Sequence, residues 1–431
     1  MGFRGTVRLH ALMLSFAQAW RRIIAMKDLS SEVPRDQEWI TVEGFERQVR
    51  RSETRMLPCR GITCGPQYHW FGYYDKFQTD PTDRFVLSMR ADFEGRTPQP
   101  EDYIEVGMID THQKNAWIPL GRSKAWNWQQ GCMLQGLPQS PSKVLWNDRV
   151  SNRFVCRIRD VFTGDESVID CPIYHVHPDG KAAVCLDYSR IQSVRLGYGY
   201  AGLPDPQQEI LRPDKSCMEI LDLTTGRRQG LFSVADIANG YPYQDAVEDD
   251  DKHYFIHAQW SPDGSRFLFL HRWSSISGRF PDFNTRMFTA SADGGDIRLV
   301  TDKPLISHFV WHSPRTICIW REDGFKMFAD DGSGVETTVY HAPNGHQSFL
   351  PGGEWMIADS YADPTGFQNL YLYNLRTAQV MPIGRYFLPA DCRGEFRCDL
   401  HPRLTRSGRT LLLDTVHGGL GRQMVMVDLP V

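Results

Sequence analysis

No run of about eighteen apolar residues occurs in the 431-residue chain, so the sequence encodes no bilayer-spanning helix. It has no basic block either. Its 48 Lys and Arg stand against 52 Asp and Glu at a formal charge of −4, which leaves nothing to neutralise a row of nucleic-acid phosphates. The ten cysteines form no Cys-x-x-Cys pair, and several lie inside apolar runs such as Ala183-Val-Cys-Leu186. They read as reduced core residues, which favours the cytoplasm. A Gly-x-Ser-x-Gly elbow is missing, and with it the signature of an α/β-hydrolase. Helix-length amphipathic segments are missing between the chain's repeats. What remains is 41% hydrophobic, 12% aromatic and 23% charged, the mixture of a folded globular protein.

Residues 1–38 read as an N-terminal extension ahead of a single domain over 39–431. The early arginines, the apolar run Leu9 to Phe16 and the small pair Ala17 and Ala19 follow a secretory pattern, which would make the periplasm or the exterior the alternative location. His10, Ser15, Gln18 and Arg21-Arg22 fit an amphipathic helix or an irregular extension instead.

The domain is built on a degenerate repeat, a tight turn followed by an apolar run. The turns fall at Pro81-Thr-Asp83, Pro138-Gln-Ser140, Pro178-Asp-Gly180, Pro262-Asp-Gly264, Pro314-Arg315, Pro351-Gly-Gly353 and Ser407-Gly408. Proline presets one turn dihedral and glycine supplies the positive one, so each site predicts a hairpin. A third alternating strand follows each, from Glu105–Asp110 through Met424–Asp428. Seven such units, spaced from 37 residues (Pro314 to Pro351) to 84 (Pro178 to Pro262), predict an all-β, seven-bladed β-propeller with short four-stranded blades. The last unit stops after its third strand, so an N-terminal strand, from Trp39–Val42 or Thr54–Leu57, is expected to close the ring. Leu196 to Ser216 interrupts the third unit as a candidate functional loop.

Aligning the repeats on their turns exposes a histidine series. His257, His346 and His401 stand five residues before the turn proline or its equivalent, and His308 joins them with a one-residue slip. Each would begin an innermost strand at one mouth of the channel, where converging imidazoles can hold a divalent metal ion, Mn or Zn first, with Fe or Ni compatible. Gln259 or His271 would complete the shell. The alternative is structural, since a histidine before such a turn can donate to a neighbouring blade's carbonyl.

Other candidates are aromatic or paired. His69-Trp-Phe-Gly-Tyr-Tyr-Asp75-Lys76 combines ring density with His and Asp, as a carbohydrate face or as a packed first strand. Gly197-Tyr-Gly-Tyr-Ala-Gly202 matches Gly-x-Gly-x-x-Gly, but Pro204 and Pro206 forbid the helix that dinucleotide binding needs; Tyr198 and Tyr200 read instead as a stacking platform for a sugar or as a self-packed loop. Tyr174 opens the third unit's inner strand and Arg190 is expected to end the paired strand, which would bring phenol and guanidinium side by side. The acidic run Glu248-Asp-Asp-Asp251 reads as a solvated loop.

Trp260-Ser-Pro-Asp-Gly264, His346-Gln-Ser-Phe-Leu-Pro-Gly-Gly353, Trp126-Asn-Trp-Gln-Gln-Gly131 and Gly197-Tyr-Gly-Tyr200 resemble the TolB-like propellers grouped with oligogalacturonate lyase and the ulvan and rhamnose–glucuronate lyases. The resemblance covers residues 65 to 431. It implies a metal held by His257, His308 and His346, with His401 a further member. It also implies a catalytic Tyr174 and a carboxylate-binding Arg190; Trp128, Tyr198 and Tyr200 are the candidate substrate contacts. Those enzymes carry a histidine pair near the second blade where this chain has Asn127-Trp-Gln-Gln130, with His112 the nearest histidine.

The expected function is therefore lyase chemistry on a uronic-acid-containing oligosaccharide or polysaccharide. β-Elimination needs the carboxylate neutralised, a base at C5 and an acid at O4, roles for Arg190 or the metal and for Tyr174 or His69. A non-catalytic propeller binding glycan or protein is the alternative.

Overall fold

Each of the seven turns read from the sequence joins an innermost strand to the second strand of its sheet. The turn glycines Gly180, Gly264, Gly353 and Gly408 have φ of 74°, 72°, 71° and 70°, the left-handed conformation that closes such hairpins at little cost. In this computed structural model, residues 57–430 are described apart from 242, 244–250, 276–282 and 303–305. They form seven four-stranded antiparallel sheets in chain order. Blades one to six span 68–123, 135–169, 175–233, 251–301, 306–341 and 347–387. The seventh takes three strands from 403–428 and its outer strand from Cys59–Gly61. The fold is an all-β seven-bladed propeller.

Ring closure by an N-terminal outer strand holds in kind but not in position. Cys59–Gly61 pairs antiparallel with Val427–Val425. Pro58 has no N–H to give the ladder, so pairing starts after it. Leu57, the described end of one expected segment, instead donates its N–H to Ile383 O of blade six. Trp39–Val42 lies outside the described residues, as do Glu248 to Asp250 of the acidic run; Asp251 opens the first strand of blade four.

Every blade is covered on both faces by its neighbours, so central strands are apolar without alternation. Phe267-Leu-Phe-Leu270 in blade four is fully buried along its length. The turns also stitch blades together. The His177 ring donates to Gly264 O and the His312 ring to Gly353 O, each at 3.0 Å, and a Cβ on Gly264 would sit 2.2 Å from the His177 ring. The structural role foreseen for a pre-turn histidine therefore falls to these two. All ten cysteines are free, six of them buried. Among the described residues no helix is long and apolar enough to cross a membrane.

Two departures from the repeat shape the channel. In blade one the inner strand Tyr68–Trp70 breaks off at Phe71 and rejoins at Gln78, whose carbonyl accepts from Leu87 N. Residues 71–77 enter the channel instead, far enough for the Tyr74 hydroxyl to bond both backbone groups of Phe309 in blade five at 2.9 Å. In blade three the second strand ends at Cys185, and a helix, α1 (Tyr188–Val194), follows, capped by the Asp187 carboxylate accepting from Arg190 N. A second short helix, α2 (Val234–Gly240), carries a Ser233/Asp236 capping box.

Candidate functional site

Blades four to seven deliver their histidines to one place through irregular backbone. His257 is the extra residue of a bulge in Asp251–Trp260, with φ 54°, and His401 precedes Arg403–Leu404 with φ 45°. His308 lies in the register shift between Ile306 and Phe309, the origin of its one-residue slip. A left-handed non-glycine residue at a bulge re-aims its side chain and clusters at functional sites. All four histidines are buried, and the His346 ring centroid lies 3.9 Å from that of His308 and 4.3 Å from that of His401.

One carboxylate organises two of these rings. Asp359 accepts from His346 N at 2.6 Å, from His346 Nδ1 at 3.0 Å and from His401 N at 3.2 Å. With Nδ1 committed to Asp359, His346 must offer Nε2 outward, the carboxylate–histidine arrangement that orients metal ligands. A second carboxylate, Asp399, takes Arg397 Nε on Oδ2 at 2.8 Å. Its Oδ1 and His401 Nε2 are buried without partners. One ligand atom each from His346, Asp399 and His401 lies within 4.8 Å of the others. Burial holds the pKa of His308 and His401 well below the usual imidazole value, so both rings are neutral with lone pairs available. Two histidines and a carboxylate, with His401 Nε2 and Asp399 Oδ1 orphaned, fit a divalent ion.

Tyr73 and Tyr74 line this cluster from the channel side. The Tyr74 ring lies 5.2 Å from His346 and 6.2 Å from His308. Tyr73 stacks on His257 at 5.1 Å and meets His401 at 5.3 Å, so it stands between the two. His257, expected with the metal, faces another group: its Nδ1 is 2.9 Å from the Tyr174 hydroxyl and 3.1 Å from the Gln130 amide. His308 stays at the cluster's rim, its Nε2 3.2 Å from the Tyr361 hydroxyl.

Cations face this space. The Arg397 guanidinium donates from Nη2 to the Tyr198 hydroxyl at 3.1 Å, and Arg195 lies 4.9 Å over the Tyr198 ring. Burial pushes the Tyr198 phenol up, but Arg397 and Arg195 outweigh it and hold the pKa below the ordinary phenol value. Burial dominates at Tyr174 and raises it well above.

The structure brings Tyr174, Tyr198 and the histidine series together and moves the other expected residues away. Arg190 does not end a strand beside Tyr174; it lies in α1, buried, bridged to Asp205 at 3.0 Å and donating to the carbonyls of His253, Gln207 and Leu211. Its guanidinium anchors the insertion. His69 points into blade one against Trp117, where burial and Arg90 lower its pKa to about 3. Trp128 is no sugar platform, being packed between Trp70 and Trp126 with its N–H on Arg96 O. Tyr200 is buried beneath the insertion, stacked 4.0 Å from Tyr188 of α1 with its hydroxyl accepting from Asn147 of blade two at 3.0 Å. His271 bonds His253 at 3.1 Å, and Gln259 is buried, its backbone carbonyl accepting from Trp311 Nε1. His112 is exposed in a blade-one turn. Sequence reasoning did not single out Asp359, Asp399, Arg397 or Tyr361; Tyr73 and Tyr74 stood within the aromatic His69–Lys76 run and Gln130 within Asn127–Gln130, without individual roles. The available signal was Asp399 two residues before His401, a same-side spacing in extended chain.

Neither a protein-family model nor a curated protein matches the sequence. Solved structures do match. An oligogalacturonate lyase in complex with manganese aligns with a TM-score of 0.62 at 14% identity, covering 87% of this chain and 93% of that one. Oligogalacturonate lyase from Vibrio parahaemolyticus aligns at 0.61 and 13%, covering 87% and 94%. The likeness is one of fold. The chain's chemistry is argued from the side chains.

Proposed function

We propose that this protein is a lyase that cleaves a uronic-acid-containing glycan by β-elimination with a divalent metal. The observation that carries the reading is the convergence of His346, Asp399 and His401, with His401 Nε2 and Asp399 Oδ1 left without protein partners. The shared fold with a manganese-bound oligogalacturonate lyase supports it.

A divalent ion held by those three residues, with His308 beside them, would supply Lewis acidity toward a uronate carboxylate. The remaining requirements fall on side chains already in place. Arg397 spends Nε on Asp399, one Nη1 hydrogen on Gly394 O and one Nη2 hydrogen on Tyr198, so each terminal nitrogen retains an N–H for an incoming carboxylate. It takes the role first assigned to Arg190. Tyr174 and His257, in mutual contact at 2.9 Å, supply the proton transfers at C5 and O4. Tyr73 and Tyr198 offer ring faces beside them.

The test is an ultraviolet assay. Purified, manganese-loaded protein is incubated with a panel of oligouronides, and the unsaturated uronate formed at the new non-reducing end is followed by absorbance. New absorbance with one of them supports the reading. Uronide binding without new absorbance would make the protein a glycan-binding propeller instead.

A further inference from the structure

Residues 394–399 of the connection between blades six and seven carry both Arg397 and Asp399 to the site, and none of them belongs to a strand. Backbone outside a ladder needs other donors for its carbonyls. Here four consecutive carbonyls are met by side chains. Glu395 O accepts from Gln129 Nε2 at 3.0 Å, Phe396 O from Arg422 Nη2 at 3.0 Å, Arg397 O from both at 3.0 and 3.2 Å, and Cys398 O from Gln368 Nε2 at 3.2 Å. Gln368 lies in blade six and Arg422 next to the third strand of blade seven, the two blades that the segment joins. Gln129 comes from elsewhere, the connection between blades one and two.

The loop that delivers Gln129 is locally determined. Asn127 and Gly131 exchange backbone hydrogen bonds at 3.2 and 3.0 Å, Gly131 turns the chain with φ 61°, and Asn127 Oδ1 accepts from Gln129 N and Gln130 N. Gln129 sits at the tip, buried. Both of its side-chain contacts are backbone carbonyls, which only accept, so the NH₂ faces them and gives one hydrogen to each. The two tied peptides flank residues 396 and 397. They fix the Cα of Arg397 and the heading of the chain toward Asp399.

We propose that Gln129 is a positioning residue, whose amide clamps the segment that presents Arg397 to a carboxylate and Asp399 to the metal. The proposal rests on the metal assignment within the lyase reading and not on the elimination itself.

The experiment is calorimetric titration of apoprotein with manganese chloride for wild type, Gln129→Met and Tyr373→Phe, each with its thermal unfolding curve. Gln129→Met keeps the side-chain length and removes both donors. Tyr373→Phe removes one hydrogen bond between blades six and five, to Val339 O at 2.9 Å, and measures what a lost hydrogen bond alone does to affinity. Gln129→Met should weaken manganese binding about 10-fold or more, as loss of an outer-sphere partner does, and Tyr373→Phe should leave it unchanged. At saturating manganese, on a uronide the parent cleaves, Gln129→Met should raise KM more than it lowers kcat. Gln129→Asn, one methylene too short to reach both carbonyls, should weaken binding in the same direction and decides the matter if Gln129→Met does not fold. Wild-type manganese affinity in a folded Gln129 variant overturns the proposal, and so does an equal loss in Tyr373→Phe. Manganese binding that weakens in the Gln129 variants of a protein that cleaves no uronide would sink the lyase reading and support this one.

Discussion

Asp359→Asn perturbs the metal centre without touching a ligand. The native carboxylate presents acceptors only: Oδ1 to His346 N and Nδ1, at 2.6 and 3.0 Å, and Oδ2 to Nδ1 and His401 N, at 3.1 and 3.2 Å. An amide must turn its NH₂ toward one of those N–H groups. The loss of one acceptor in a fully buried site leaves a donor unpaired, at about 1–3 kcal/mol of folding stability. The larger effect should be on the metal, because His346 loses the partner that fixes its tautomer and His401 loses the contact that holds its left-handed backbone. Second-sphere partners of this kind are worth roughly 10–100-fold in affinity, or about 1.4–2.7 kcal/mol. Calorimetric titration of apoprotein with manganese reads the affinity, and thermal unfolding of the same samples reads the stability. A folded Asp359→Asn protein that binds manganese as tightly as wild type would refute the assignment of Asp359 as the organiser of both rings.

Four further outcomes are expected. Tyr174→Phe removes only the hydroxyl and should lower turnover by about 10²-fold or more on a uronide the parent cleaves, at a stability cost of about 1 kcal/mol, read from initial rates and urea unfolding. Arg190→Lys should act on stability instead, losing about 1–3 kcal/mol because an ammonium with three donors cannot serve Asp205 and the carbonyls of His253, Gln207 and Leu211 together; a wild-type unfolding midpoint would contradict this. Arg397→Lys keeps the charge but loses the fork and should raise KM for uronides more than Arg190→Lys does, compared at matched folded fraction. Stability should also fall in acid: His69, His175 and His253 have pKa values lowered to about 3, 4 and 3, chiefly by burial. The unfolded chain takes up protons below about pH 6.5 that the folded chain refuses down to those values, so each costs up to about 1.4 kcal/mol per pH unit across that window. Urea midpoints that stay level from pH 7 to 4.5 would disprove it.

The sequence showed most where local chemistry is stereotyped. Pro262-Asp-Gly264 and its counterparts located all seven hairpins because proline and glycine fix dihedrals irrespective of their surroundings. The histidine series was legible for the same reason, being counted from those turns. Closure at Cys59–Gly61 was misplaced because a three-residue edge strand has too little alternation to announce itself, although Pro58 marked the boundary. Arg190 was misassigned although Asp187-Tyr-Ser-Arg190 is an N-cap pattern; the turn prior overrode it. Asp359 and Asp399 remained hidden because their roles depend on which blades meet at the channel. Tyr73 and Tyr74 were legible as part of an aromatic run, but not their place beside the histidines, which comes from the excursion of 71–77, a departure from the strand that period and composition do not record.

The most direct test of the account is anomalous diffraction from crystals grown with manganese, collected above and below the absorption edge. The account predicts a peak within coordination distance of His346 Nε2, Asp399 Oδ1 and His401 Nε2. A manganese-free channel, or a peak held by other side chains, would contradict it.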